Sequence, residues 1–568
     1  MPAPKATTSL NPITFNDFSP GIADLPGTNY KAESATRTNT FRCIANHSGA
    51  LVPLPWRQEP FSLPHHSADH GPAVTGLYLP PIGLLPAPAT SAFTEGQFPE
   101  HQLFVGVEWV SGSTMYHNLY RYRRFEAPLG TGYDTIKSTS NAWSGAGGDP
   151  TAFRPNGMNF ATTRSNRADY SIPGCPVTII QGFGYLSEFP DDQNQASLTP
   201  FDIASGFYPT PGSKFILHMT THQGRVVLQE VMAFNHGPGA ITFTGENTTW
   251  SFFNDVTPAR WGTWNGGDPT DPTNFDTKAK VFIPEKPSGF SVMVSMSANE
   301  LFFVKGGQGG GYVSGSLDVG QVVSLPMVTG AEIAQTATVS PIGVVYGNRT
   351  SGVWAWSHGD NSQLISPQLN SNFWSLPGWG GDFDLDDFGG VSYSFACCDD
   401  WILTPNNWIF DTTLKSWWRL EDPDVAQYRW VTSQWHFIYT AESYYDSTND
   451  KPIHLYKREW KSPTYSWQSH PIWQSVEDIV TINDIGLIAE GNGEVKLTLT
   501  SLNGGTNSIT IALDNCGFPE RFRERLNIQG KYIQLRIEST SPNPYYPAPT
   551  VYSVTLYPFT EAPIGHTQ

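Results

Sequence analysis

Three observations predict an all-β chain, a divergent β-propeller preceded by an N-terminal extended arm and followed by a C-terminal antiparallel β-sandwich. Aromatic residues make up 13% and charged residues only 15% of the 568 positions, the balance of a folded chain with large interfaces and not of a polyelectrolyte. The 53 Gly and 46 Pro follow no triplet period, so they mark many turns. Helix-period stretches are short, at 330–335 and 424–428 only, while hairpin-like pieces recur at roughly 50 to 70 residues, the pattern of sheets repeated radially.

Residues 1 to 60 are polar, with short apolar alternations at 13–15 and 41–44, and read as an extended arm. The next stretch carries Pro53, Pro55, Pro60, Pro64, Pro72, Pro80, Pro81, Pro86, Pro88 and Pro99, which deny a ladder its N–H donors and suggest a rigid connection; together these form a first unit, 1–100. The propeller is expected over 101–465. Its first hairpin joins 103–110 to 115–124 through Ser111-Gly-Ser-Thr114. Others fall at 215–231 around Gln223-Gly224, at 290–304, at 343–357, at 401–420, and between 435–440 and 452–458. Trp250, Trp356, Trp417 and Trp418 come late in several of these units. From 466 to 568 the alternation is cleaner. Val495, Leu497 and Leu499 share one face before an Asn503-Gly-Gly505 turn, Ile533, Leu535 and Ile537 share another, and 550–557 completes the sandwich.

The net charge of −18 excludes an ordinary nucleic-acid reader, which needs a basic patch. The densest basic run, Arg121, Arg123 and Arg124, alternates with Tyr120 and Tyr122 and reads as the wet face of a strand. An acidic wall around DNA is a different case, because like charge lets the polymer slide. Five cysteines (Cys43, Cys175, Cys397, Cys398, Cys516) lie at no metal or disulfide spacing and read as free thiols. The N-terminal residues lack the apolar core of a secretion signal, so synthesis in a cytosol is expected, and no stretch approaches the ~20 apolar residues of a membrane span. Asn46, Asn247 and Asn348 begin Asn-x-Ser/Thr triplets that chance explains.

The sharpest local feature is Gly380-Gly-Asp382-Phe-Asp384-Leu-Asp386-Asp387, whose alternating carboxylates could converge on Ca2+. The spacing lacks the sixth-position Gly and twelfth-position Glu of an EF-hand, and a solvated acidic loop is the competing reading. Asp382, Asp384 and Asp386 are the metal candidates; no catalytic residue and no other cofactor is expected. Glycosidases need two carboxylates ~5–10 Å apart, and Asp255, Glu421, Asp422 and Asp424 sit among aromatics, but nothing in their spacing marks an acid and a base. His65, His66 and His70 lack a second ligand cluster, and Gly306 to Gly311 lacks the Gly-Lys-Ser/Thr of a phosphate loop, so a surface loop and a hairpin tip are the simpler readings.

Both ends carry a resemblance. Ile13-Thr-Phe-Asn-Asp-Phe-Ser-Pro-Gly-Ile22 followed by Thr38-Asn-Thr-Phe-Arg-Cys-Ile-Ala-Asn-His-Ser-Gly-Ala-Leu-Val52-Pro53, with Ile472-Trp-Gln-Ser475, Glu520-Arg-Phe-Arg-Glu-Arg-Leu526 and Pro549-Thr-Val-Tyr-Ser-Val-Thr555, resembles the tail nozzle and tail-tube propeller proteins of short-tailed bacteriophages. The resemblance implies a non-enzymatic virion tail protein, assembled in the host cytoplasm as a homohexamer. It would form a conduit for genome retention and DNA ejection, with adaptor or portal proteins above it and tail fibres or spikes outside. Genomic DNA would pass through without sequence-specific contact, and the arm at 1–60 would strap a neighbour. The alternative is a carbohydrate-binding or glycoside-hydrolysing propeller; a host surface adhesin is a third, which the missing export signal disfavours.

Overall fold

The computed structural model describes residues 7–9, 11–22, 40–57, 61–62, 70–80, 102–111, 114–123, 133–142, 159–165, 175–182, 185–190, 199–201, 214–235, 241–250, 281–282, 291–305, 309–317, 321–325, 336–348, 351–359, 361–367, 369, 394–405, 407–421, 428–434, 437–442, 454–471, 479–501, 505–530 and 532–561. The expected short helix at 330–335 lies outside them, as do residues 424–427 of the one expected at 424–428, whose last residue, Tyr428, begins a strand.

The chain begins with β1 (Thr7–Ser9), β2 (Ile13–Phe15), β3 (Cys43–Ala45), β4 (Leu51–Pro53), β5 (Pro55–Arg57) and β6 (Phe61–Ser62). Six four-stranded antiparallel sheets follow in order. The first three are β7 (His70–Tyr78) to β10 (Tyr133–Ala142) through β8 (Gln102–Ser111) and β9 (Thr114–Arg123); β11 (Asn159–Ser165), β12 (Cys175–Gly182), β13 (Tyr185–Pro190) and β14 (Thr199–Phe201); and β15 (Lys214–His222), β16 (Arg225–Asn235), β17 (Ile241–Trp250) and β18 (Val281–Phe282). The fourth is β19 (Ser291–Ser297), β20 (Glu300–Lys305), β21 (Gly310–Ser314) and β22 (Gln321–Leu325), and the fifth is β23 (Ala337–Ser340), β24 (Gly343–Asn348), β25 (Gly352–Trp356) and β26 (Gln363–Leu364). The sixth is β27 (Ala396–Cys398), β28 (Trp401–Thr404), β29 (Trp408–Asp411) and β30 (Ser416–Arg419). A seventh sheet takes β31 (Tyr428–Gln434), β32 (Phe437–Glu442) and β33 (His454–Lys461) and is completed from the other end of the chain, with β5 and β6 both pairing β33.

First strands of successive sheets from β11 to β31 lie against one another, β31 returns to β7, and Tyr78 of β7 meets Phe160 and Thr162 of β11, so the seven sheets among the described residues form a closed ring, a β-propeller. Side chains stitch the blades. Tyr78 stacks on Phe160 at 5.2 Å between blades one and two. Thr163 donates to the Gly224 carbonyl between two and three. Phe302 stacks on Trp356 at 5.0 Å between four and five. Trp417 Nε1 donates to the Ile365 carbonyl (2.7 Å) between six and five, and Ser394 both donates to and accepts from the Val431 backbone (2.8 Å each) between six and seven. The Gln223-Gly224 hairpin forms as the sequence suggests. His222 pairs Arg225, and both turn residues take positive φ (52° and 69°), the conformation that a tight two-residue hairpin needs.

The C-terminal unit is built from β34 (Thr464–Gln468), β35 (Val480–Ser501), β36 (Gly505–Gly530), β37 (Ile533–Thr540) and β38 (Thr550–Glu561). Its two faces belong to one folded-over sheet. On one edge of β35, residues 480–490 pair β38 and residues 494–501 pair β37; β36 follows the other edge throughout. The partner changes at two register breaks, where Gly491 and Gly493 take φ of +125° and +141°. A strand of 20 residues would reach about 66 Å if straight. Here Asn507 donates to the carbonyl of Asn527, 20 residues further along β36, at 2.8 Å, so the strand bends back on itself. Ile485, Leu487, Val554 and Leu556 from one half and Leu497, Leu499, Leu535 and Ile537 from the other share a single buried cluster. A Cβ on Gly493 would stand 2.1 Å from the Thr540 carbonyl oxygen. Gly493→Ala should therefore cost more than about 2 kcal/mol, read as a lower urea midpoint.

The expected unit at 1–100, an extended arm over 1–60 and a Pro-rich connection, is paired into the rest of the chain where it is described. β2 pairs β38, β4 pairs both β3 and β38, and Phe41 exchanges backbone bonds with Ser466 (2.9 and 3.2 Å), nearly closing the C-terminal sheet. Phe15 and Phe18 pack edge-on against Trp467 in that core at 5.7 and 4.9 Å. The short apolar alternations at 13–15 and 41–44 were strand signals, and the described part of the arm is spent within its own chain. The Pro-rich stretch supplies β5 to β7 to the propeller, which therefore starts before residue 101. Its prolines sit where a donor is dispensable: Pro55 on the outer strand of its sheet, Pro72 where the β7–β8 register slips. Arg121 is a second correction. It is fully buried in a central strand, opposite Phe104 and Asp134 in register, instead of wet. A blade packed on both faces has no solvent side for the alternation to point to.

Candidate functional site

Of the carboxylates singled out by sequence, Glu421 lies among the described residues, whereas Asp255, Asp382, Asp384, Asp386, Asp422 and Asp424 lie outside them. Glu421 lies two residues beyond β30, whose four residues are all buried. Trp417 faces the blade core and Trp418 the sandwich core, so both alternating faces of this strand are apolar and no exposed edge is left. Ile22 donates its N–H to the Trp417 carbonyl (2.7 Å), and Arg42 donates to that of Arg419 (2.8 Å).

The Glu421 side chain has no solvent exposure. Its Oε2 accepts from Arg42 Nε (2.8 Å) and NH2 (2.7 Å), and its Oε1 accepts from Arg458 NH1 (3.0 Å). Arg42 reaches on to Thr464 Oγ1 (3.2 Å), and Arg458 Nε to Thr440 Oγ1 (3.0 Å). The cluster thus joins the N-terminal segment, the end of blade six, blade seven and the first sandwich strand. Arg42 holds φ of +60°, unusual for a side-chain-bearing residue, because its N–H and its carbonyl are both committed, the latter to Leu54 N–H at 2.9 Å. A carboxylate closed in by two guanidiniums, with no water-facing surface, is a clamp and not an acid or a base. The partners are 379 and 37 residues away in sequence, so no local spacing could have announced it.

Two histidines are sealed between blades three and four. His218 Nδ1 accepts the Met293 backbone N–H (3.1 Å), and His222 Nδ1 lies 2.8 Å from Ser295 Oγ. Burial, which disfavours the imidazolium, pulls both down to about 4. Between blades four and five, Glu300 Oε1 meets His358 Nε2 at 3.0 Å while Ser297 donates to Oε2 at 2.9 Å. The His358 bond holds this carboxyl below its ordinary value. The serine addresses the carboxylate and not the imidazole, so the trio lacks the order of a nucleophile with its base.

The remaining sequence candidates are structural where they are described. Asn46 and Asn348 each cap a turn through Oδ1, to Ser48 and Ala50 and to Ser351 respectively. Of the Gly-rich run, Gly310 and Gly311 open β21, which pairs β20, and residues 306–308 lie outside the described residues. His70 starts β7; His65 and His66 lie outside the described residues. Cys43, Cys397 and Cys398 are free thiols, and burial pushes Cys397 up to about 11 and Cys398 to about 12, which keeps both protonated at neutral pH. Among the described residues no group of three His, Cys, Asp or Glu is placed to hold a metal, and no helix is long and apolar enough to cross a membrane.

No family model and no curated protein matches the chain. Solved structures that resemble it include a β-fructofuranosidase from Schwanniomyces occidentalis complexed with fructosyl-erythritol, at 9% identity over 89% of this chain and 98% of that one, with a TM-score of 0.28. An exo-β-1,3-galactanase from Phanerochaete chrysosporium is 8% identical over 73% and 99%, with a TM-score of 0.23. A puromycin hydrolase is 11% identical over 64% and 58%, with a TM-score of 0.32. Superpositions this loose transfer no activity, and the propeller assignment stands on the seven-sheet topology.

Proposed function

We propose that this chain is a structural tail protein of the nozzle type found in short-tailed bacteriophages, working without catalysis as one subunit of a hexameric ring through which DNA leaves the particle. The observation that carries the reading is that the two motif-bearing ends, separate in sequence, fold as one body: β2 lies on β38, and β4 joins β3 to it. The resemblance therefore rests on a coherent unit instead of two unrelated fragments. A net charge of −18 suits a wall that does not hold DNA. The Glu421 clamp suits a part that must stay rigid under load. Adaptor or portal proteins and fibres or spikes are the partners this role requires.

Negative-stain microscopy of purified full-length protein should show rings with a central opening, and antibody labelling should find the chain in the tails of particles. A monomer that never enters particles would overturn the reading, as would release of reducing sugar from a glycan panel.

A further inference from the structure

We propose that the exposed face of β36 seats a second copy of this chain, with Arg521, Arg523 and Arg525 set against acidic surface of the neighbour. The inference rests on the ring reading and assigns it a contact surface. The three arginines are alternate residues and point the same way, about 7 Å apart for two residues of strand. They stand opposite Ile488, Gly486 and Asp484 on β35, and all three are exposed. Arg523 is held in place by Asp484 (2.8 Å) and by the ring of Tyr557, over which it lies at 4.3 Å. Arg521 and Arg525 make no ion pair among the described residues.

Two further features lie on the same strand. Phe518 is 66% exposed at its bend, beside Gly517, around which a Cβ would meet nothing within 4 Å. The edge of β36 away from β35 has no ladder partner among the described residues, and residues 505–513 carry neither charge nor proline, the usual protections of an open edge. An aromatic anchor, a guanidinium row and an unprotected edge are what an interface core and its rim are made of. Charge chooses the occupant. A second copy offers the arginines an excess of carboxylates, 51 Asp and Glu against 33 Lys and Arg, and polypeptide backbone for the open edge, whereas DNA has no backbone amides to continue a ladder. A head-to-tail contact of this kind closes a ring when its rotation divides the circle.

Sedimentation velocity on the full-length protein at low and high salt tests the proposal. Wild type should assemble and weaken as salt rises; the triple variant Arg521→Glu, Arg523→Glu, Arg525→Glu should assemble at least about tenfold more weakly, and Phe518→Ser should also weaken assembly. If the triple variant has lost its fold by circular dichroism, Phe518→Ser and Thr510→Lys, both at exposed positions, decide instead. Rings that survive every variant overturn this surface and leave the ring reading standing; a wild type that is monomeric at all salts removes both. Double-stranded DNA retention that the triple variant abolishes, with assembly unchanged, also overturns it.

Discussion

Glu421→Ala should destabilise the folded chain by about 3–5 kcal/mol, the cost of leaving buried charge without its partner. Arg458 is 2% exposed, and its NH1 would lose its carboxylate while its Nε kept Thr440; Arg42, 16% exposed, would recover part of its loss in water. The larger share of the penalty should therefore fall on the blade-seven side. Arg458→Met and Glu421→Leu should each destabilise by several kcal/mol alone, and together should cost less than the sum of the two, because Arg458 is then no longer a buried unpaired charge and only Arg42, which reaches water, has lost its carboxylate. Urea unfolding of the four proteins, followed by tryptophan fluorescence, gives the cycle. Strict additivity would mean that the clamp is not a coupled unit.

Lowering the pH from neutrality toward 4 should weaken the fold, and His218 should account for much of the slope. The folded-state value of about 4 lies below the ordinary imidazole value of about 6.5. The unfolded chain therefore takes up its proton first, and stability falls as pH drops below about 6.5, levelling once the folded pKa is passed. A gap of this size corresponds to about 3 kcal/mol. Protonation would also cost the Met293 N–H its acceptor, since an imidazolium has no free lone pair. His222, at 1% exposure, adds in the same direction. His218→Gln should flatten the plot of unfolding free energy against pH between 6.5 and 4. An unchanged slope would assign the acid sensitivity elsewhere.

Local alternation and turn chemistry made most of the hairpins legible. Met115 to Arg123 pairs the strand before it, Gln223-Gly224 turns as its residue types demand, and Val495, Leu497 and Leu499 face a core as their spacing predicts. What could not be read was contact between distant parts of the chain. β5 and β6 look like connection because their ladder partner, β33, lies some 400 residues downstream, and the polar residues around β2 and β3 hide how firmly those short strands are held. The burial of Arg121 is hidden for a related reason: period-two patterning identifies a strand but not whether both its faces are covered. Among the chemical candidates, sequence could put Glu421 beside aromatics, yet its meaning came only with Arg42 and Arg458.

Because β5 and β6 form the last edge of blade seven, a segment made early on the ribosome must wait for one made much later. At ~5–20 residues per second, about 400 residues of synthesis separate them, so the early strands stay unpaired for roughly 20 to 80 seconds. Such remote pairings slow folding and leave sticky backbone in view while the ring is open. A cell making this protein would then be expected to need chaperone cover for nascent chains, and expression at low temperature should raise the soluble yield.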